Sequence, residues 1–198
     1  MNLTVNSVIL AMINTVRDAR GGAQLIMAIK LNRRSRWEVL LLIAVLSALM
    51  AGLSLLIGGA GGVALAGGPV VVSPIVLGAA QLFLLFSMVL GIHFIGTRFG
   101  GHGKLDDAIL LVAWLQFILI SLQVIQIVAI VVLPPLAFVL GIAGIVLFFW
   151  LLTAFVAELH GFKSKTGVFV AILIAMVVFT AVFRMILGIF GIDATGVI

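Results

Sequence analysis

The chain has 198 residues, of which 65% are hydrophobic and only 9% are charged. This composition excludes a soluble domain, whose surface must be far more polar, and the long apolar runs predict transmembrane helices of about 20 residues each. The net charge of +5 indicates basic residues that flank membrane spans and contact anionic lipid headgroups, rather than a nucleic-acid-binding surface.

Residues 1–36 form a predicted non-spanning, basic segment on the cytoplasmic side. Its first half has apolar residues at steps of three and four, namely Val5, Val8, Ile9, Met12 and Val16. This spacing predicts an amphipathic helix that lies in the membrane interface. The Gly21-Gly22 pair is expected to end that helix, and a second short helix is expected around Ile26.

Residues 37–198 contain five solid apolar runs, which predict spans at about residues 37–57, 70–96, 107–133, 136–159 and 168–190. The fold class is therefore all-α, a polytopic membrane protein with a five-transmembrane-helix bundle and an N-terminal amphipathic interfacial helix. Glycines at 58–62 end the first run, and Pro134-Pro135 separates the third from the fourth. Asp106 and Asp107 are expected to cap the third span and to interact favourably with its dipole.

Ten of the eleven lysines and arginines fall on one side of this five-span arrangement. The positive-inside rule then places the N-terminus in the cytoplasm and the C-terminus outside, in the periplasm if the membrane is a bacterial inner membrane. A four-span arrangement would put these basic clusters on opposite sides. Nine of the basic residues are candidate contacts for anionic headgroups or for a partner: Arg17, Arg20, Arg33, Arg34, Arg36, Arg98, Lys104, Lys163 and Lys165.

Residues 100–104 (GGHGK) invite comparison with a phosphate-binding loop, but the first glycine of that motif is replaced by Arg98 and no strand precedes it. A tight turn is expected instead. The histidines His93, His102 and His160 lie on separate segments without metal-ligand spacing, so no metal site is expected. His93 and His160 are expected to form hydrogen bonds at helix ends. No catalytic set and no cofactor site can be assembled.

Polar residues inside the spans have two interpretations. Gln116 and Gln123 share a face of the third span, with Gln126 about 60° further round. They predict either hydrogen bonds between helices or a polar path for a solute. Glu158 is expected to pair with Lys163 or Lys104. Arg184, near the outer end of the fifth span, is expected to reach outward to the headgroups.

Three stretches resemble the Yip1 family of small five-span membrane proteins: residues 100–108 (GGHGKLDDA), residues 149–162 (from FW to ELHGF) and residues 18–23 (DARGGA). The chain departs from the family pattern at one point: many members carry a proline inside the third span, and here that span has none. The resemblance implies no catalytic residues. Eukaryotic members engage small GTPases through a longer hydrophilic N-terminus, whereas the short N-terminus and loops here resemble bacterial members of the inner membrane.

Two functions remain open from the sequence. The first is a non-enzymatic membrane organiser, scaffold or accessory subunit, which contacts lipids and other membrane proteins or a second copy of itself. The alternative is a small-solute transporter or channel that uses the polar face of the third span. Nucleic acid is not an expected partner.

Overall fold

The computed structural model describes residues 4–57, 63–65, 68–70 and 74–189. Within these residues the chain forms seven helices and a two-stranded antiparallel hairpin. In chain order they are α1 (Val5–Arg17), α2 (Ala19–Met27), α3 (Arg33–Ile57), β1 (Val63–Leu65), β2 (Gly68–Val70), α4 (Pro74–Arg98), α5 (Leu105–Val132), α6 (Pro134–His160) and α7 (Lys165–Ile189). Helices α3 to α7 are long and apolar enough to cross a membrane, which confirms the five-span fold class.

Two glutamine–serine pairs set the register between α3 and α5. Gln116 Nε2 donates to Ser47 Oγ at 2.9 Å, and Gln123 Nε2 donates to Ser54 Oγ at 3.2 Å. The second pair lies seven residues after the first on both helices, so α3 and α5 run parallel. A seven-residue step keeps one face of each helix on the seam, as in coiled coils.

The contact between α3 and α4 shows that α4 is displaced along the bundle. A Cβ on Gly78 would lie 3.9 Å from that of Ala48, and the rings of Trp37 and Phe86 are 5.8 Å apart. These pairs make the two helices antiparallel. From Ala48 back to the start of α3 is about 22 Å, whereas from Gly78 to the end of α4 is about 30 Å. The last residues of α4, 94–98, therefore project beyond the start of α3, by about 8 Å from this pair and about 12 Å from the aromatic pair, and we call them the α4 overhang.

Two of the helix boundaries expected from the sequence are wrong. The second span was expected to begin near Val70, but Val70 pairs with Val63 in the hairpin and α4 begins at Pro74. Proline suits the first helical position because the N–H that it lacks would find no hydrogen-bond acceptor within the helix there. The first span was expected to begin at about residue 37, but α3 starts at Arg33, where the side chain of Asn32 accepts the amide of Ser35 at 2.7 Å. The glycine run at 58–62, residue 190 and the tail after it lie outside the described residues.

The expected helix break at Gly21-Gly22 is also wrong. The break falls at Asp18, whose side chain accepts the amide of Gly21 at 3.1 Å and so caps α2. Both glycines lie inside α2. A Cβ on Gly22 would overlap the side chain of Thr15, so the glycine allows α1 and α2 to pack closely.

Helix α1 is present, as expected, and it has three distinct faces. Thr15 is fully buried and accepts a hydrogen bond from the indole of Trp114 at 3.2 Å, while Met12 Sδ lies 3.9 Å from Ser121 Oγ. Because Met12 precedes Thr15 in α1 whereas Ser121 follows Trp114 in α5, the two helices run in opposite directions where they touch. The exposed side of α1 has an apolar face, formed by Val5, Ile9, Ile13 and Val16. It continues into a more polar face with Asn6, Asn14 and Arg17, which also carries the exposed Leu10. The contact with Ser121 lies about 24 Å along α5 from its first residue, so α1 lies beside the span and not on the end of the bundle.

The core lies towards one end of the bundle. Buried side chains concentrate at residues 108–115 of α5 and 151–160 of α6, with Leu40 and Ala44 of α3 and Val89 of α4. The start of α5 and the end of α6 meet at this end. The opposite end exposes apolar side chains such as Val132, as expected for surfaces that contact lipid tails.

Candidate functional site: the basic end of the bundle

The end at which α3, α5 and α7 begin and α4 and α6 end carries most of the charged side chains, and we call it the basic end. Helix α2 also lies here, because Gln24 Nε2 donates to Glu158 Oε1 of α6 at 2.6 Å. Ala23 and Ile26 of α2 are buried in the core. The N-terminal segment is thus part of the bundle, packed on the end where the loops converge.

His160 is the buried centre of the basic end. It is only 3% exposed although it is the last residue of α6. The amide of Gly103 donates to its Nδ1 at 3.2 Å, and its Nε2 lies 3.0 Å from the carbonyl oxygen of Ile92. Since Nδ1 accepts, Nε2 must carry the proton and donate to Ile92, which defines a neutral ring. The expected hydrogen bonding of His160 is confirmed, and it joins α4, the α4–α5 turn and α6.

Three glycines enclose the His160 ring. A Cβ added to Gly96, Gly101 or Gly103 would overlap it, and for Gly103 the nearest ring atom would be only 2.7 Å away. We call these four residues the His160 knot. Gly100, at φ 84°, adds the left-handed conformation that the turn requires. The glycines at 100–103 therefore serve the close approach of backbone to an imidazole, and the expected tight turn is present.

His93 does not form the hydrogen bond expected of it. Its Nδ1 is buried and has no partner among the described residues, and its ring lies 5.4 Å from that of Phe94. His102 is exposed in the turn. Within the part of the chain that the structure describes, no three histidine, aspartate or glutamate side chains are grouped closely enough to hold a metal ion.

The carboxylates at the basic end pair with arginines from the N-terminal part of the chain. Arg36 Nη1 lies 2.8 Å from Asp107 Oδ1, and Arg33 Nε lies 3.4 Å from Asp106 Oδ1. The two aspartates were expected to cap α5, but they form no cap. The residue before α5, Lys104, provides no side-chain cap either. The aspartates instead tie the start of α5 to the start of α3.

Glu158 was expected to pair with Lys163 or Lys104, and this is wrong. Its Oε2 lies 3.8 Å from Arg20 Nε, and its other oxygen accepts from Gln24. The lysines lie in loops near Glu158, but the packing of α2 on α6 brings Arg20 and Gln24 to the carboxylate instead. The pair is partly exposed, so its contribution to stability is on the order of 0–1 kcal/mol.

The arginines in these pairs are neutralised, and several other cations are not. Arg34 pairs with Glu38 at 2.8 Å, so four arginines from the N-terminal part of the chain each have a carboxylate partner. Asp18 caps α2, so each acidic residue in the described part of the chain already has a local partner. No described carboxylate pairs with the remaining cations of this end, which are Arg17, Lys30, Arg98, Lys104, Lys163 and Lys165. Lys165 lies over the ring of Trp150, 5.6 Å from its centroid.

The three glutamines of α5 all bond to neighbouring helices. Gln116 and Gln123 bond to α3, and Gln126 Nε2 donates to the carbonyl of Ala137 on α6 at 3.2 Å. These bonds confirm the interhelical interpretation. A small cavity beside α5, about 10 Å³, is lined only by apolar residues of α4, α5 and α6 and does not include the glutamines.

Arg184 lies at the opposite end of the molecule. The rings of Phe149 and Phe169 are 5.8 Å apart, which sets the register of α6 against α7. Fifteen residues further along α7 is Arg184, and fifteen residues back along α6 is Pro134, its first residue. The side chain of Arg184 is exposed at that level. It is therefore placed to extend towards the headgroups.

The arrangement of five long apolar helices defines a polytopic integral membrane protein. The model of the family described as the Yip1 domain matches residues 22–185. The chain therefore belongs to the Yip1 family, as its glycine-rich turn and the end of its fourth span predicted. The match begins in α2 and ends in α7, so it includes the whole His160 knot. No curated protein and no solved structure matches the chain.

Proposed function

We propose that this protein is a non-enzymatic membrane organiser or accessory subunit, which holds lipids and other membrane proteins at its basic end. The observation that carries the proposal is the construction of that end. A buried histidine, three close glycines and three ion pairs to α5 and α6 fix the N-terminal segment and two turns into one surface. A fixed surface is pre-organised for contact, because less conformational entropy is lost on binding.

The charge balance supports a role in contact rather than in chemistry. Asp106, Asp107, Glu158 and His160 are engaged in pairs and hydrogen bonds that link segments of the chain, whereas six cations at this end have no carboxylate partner among the described residues. In the orientation set by the positive-inside rule, this end faces the cytoplasm of a bacterial inner membrane. Anionic headgroups and the acidic surfaces of neighbouring proteins are the groups that such a surface attracts.

Extraction of the full chain from its own membrane into polymer-bounded nanodiscs tests this proposal. Mass spectrometry of the purified discs should find one or a few membrane proteins, or a second copy of this chain, in reproducible ratio to it. A chain that is repeatedly recovered alone, as a monomer, would contradict the proposal.

Transport of a small solute is less well supported. The two glutamines that would line a path, Gln116 and Gln123, donate to serines of α3. Liposomes that contain the protein should therefore show no more flux of small polar solutes than empty liposomes. Flux that is lost in the Gln116→Leu variant would restore the transport hypothesis.

A further inference from the structure

The net charge of the chain is located on specific residues, and this location points to a lipid site. Four arginines of the N-terminal part are each matched by a carboxylate: Arg20, Arg33, Arg34 and Arg36. They were candidate lipid contacts by sequence, but they already have internal counter-ions. The unmatched positive charge at the basic end lies on six other cations. Three of them are Arg98 at the end of α4, Lys104 after the turn that encloses His160, and Lys163 in the turn that follows His160.

Three unmatched cations lie within three residues of members of the His160 knot in the sequence. Arg98 lies two residues after Gly96, Lys104 follows Gly103 directly, and Lys163 lies three residues after His160. All three side chains are exposed, and no described carboxylate pairs with them. The knot brings Gly96, Gly103 and His160 together, so each of the three cations lies within three residues of a shared centre. Like charges that start from a shared centre repel one another until an anion is present.

Exposed aromatic rings lie beside these cations. Phe94 is 60% exposed and Phe99 is 72% exposed, and they flank Arg98 at the end of the α4 overhang. The register between α3 and α4 places Phe94 at the level of Arg33, where α3 begins. Apolar rings at the depth of charged groups are suited to the membrane interface, where they contact the glycerol and upper acyl region of a lipid.

We infer that Arg98, Lys104 and Lys163 bind the phosphate of an anionic phospholipid of the surrounding membrane, with Phe94 and Phe99 against its glycerol and upper acyl region. This deepens the proposed function, on which it rests, by naming the lipid class and the residues. A soluble phosphate offers no apolar part for the two rings. The paired N-terminal arginines stand outside the site.

Native mass spectrometry of the purified full chain tests this inference. The protein in mild detergent is titrated with phosphatidylglycerol and, separately, with phosphatidylcholine of the same acyl chains. In Lys104→Gln/Lys163→Gln the affinity of the tightest phosphatidylglycerol site should fall by about fivefold per cation, or roughly 25-fold. Phosphatidylcholine should bind the wild-type and variant proteins equally.

Two further variants separate the site from general charge and from misfolding. Arg33→Gln/Arg34→Gln removes the same charge from paired arginines and should change phosphatidylglycerol affinity by less than twofold. Lys104→Arg/Lys163→Arg keeps the charge and should retain the site. Equal losses in the two glutamine variants would overturn the inference, because net charge alone would then explain binding.

The source of the phosphate is tested by competition. Inorganic phosphate at millimolar concentration should not displace the bound phosphatidylglycerol. Displacement of the lipid by inorganic phosphate at that concentration would overturn the lipid site in favour of a site for a soluble phosphate compound. If no lipid preference is found while partners are still recovered in nanodiscs, this inference fails and the proposed function stands. If a lipid preference is found but the chain is repeatedly recovered alone as a monomer, the lipid site stands and the proposed contact with other membrane proteins fails.

Discussion

Replacing Gly96 with alanine should weaken the His160 knot, and Gly91 provides a matched control on the same helix. A Cβ at Gly96 would overlap the His160 ring, whereas one at Gly91 would meet nothing within 4 Å. Both changes gain the same helix propensity, on the order of 1 kcal/mol, so this contribution cancels when the two variants are compared. The ring has little freedom to move because both nitrogens are hydrogen-bonded, to Gly103 and Ile92.

The expected difference between the two variants follows from the overlap. Forcing a methyl group into a packed site costs about 1–3 kcal/mol. For a chain of this size each kcal/mol lowers the melting temperature by about 2–4 °C, so Gly96→Ala should melt about 2–12 °C below Gly91→Ala. The measurement is tryptophan fluorescence during heating of both proteins in the same detergent. Melting temperatures that agree within 1 °C would refute the close packing of backbone around His160.

Three other outcomes are expected. Gln116→Leu should lower the free energy of unfolding by about 0.6–2 kcal/mol. Combining it with Ser47→Ala should cost less than the sum of the two single changes, because each change alone leaves a polar partner without a hydrogen bond. Additive costs in this double-mutant cycle would contradict the hydrogen bond between Gln116 and Ser47. Glu158→Gln removes the charge that faces Arg20 and should speed trypsin cleavage of the N-terminal segment by about 1.5- to fivefold, whereas an unchanged rate would show that the pair does not hold α2. A reporter fused after Ile198 should be active on the periplasmic side of the membrane, and cytoplasmic activity would reverse the orientation and the five-span arrangement together.

The number of spans and the polar seam of α5 were predictable from the sequence because both depend on local patterns. Twenty apolar residues specify a membrane helix whatever its neighbours are. Likewise, the seven-residue spacing of Gln116 and Gln123 places both on one face of a helix, and buried amides in a bilayer must find partners on neighbouring helices.

The basic end was not predictable in the same way, since its contacts join residues that are far apart in the chain. Glu158 reaches Arg20 only because α2 folds back onto α6, and no periodicity indicates that packing. The burial of His160 had a weak signal, namely glycines at 101 and 103 in a turn expected to lie near the end of span four. Recognising that these glycines leave room for a ring required the register of α4, α5 and α6.

Photo-crosslinking in living cells tests most directly the claim that the basic end is the contact surface. A photoreactive amino acid replaces Leu25 on α2, which is 49% exposed at the basic end, or Leu133 at the opposite end, which is 51% exposed. A discrete adduct with a membrane protein, or with a second copy of the chain, is expected from position 25 and none from position 133. Equal adducts from both positions, or no protein adduct from position 25, would contradict it.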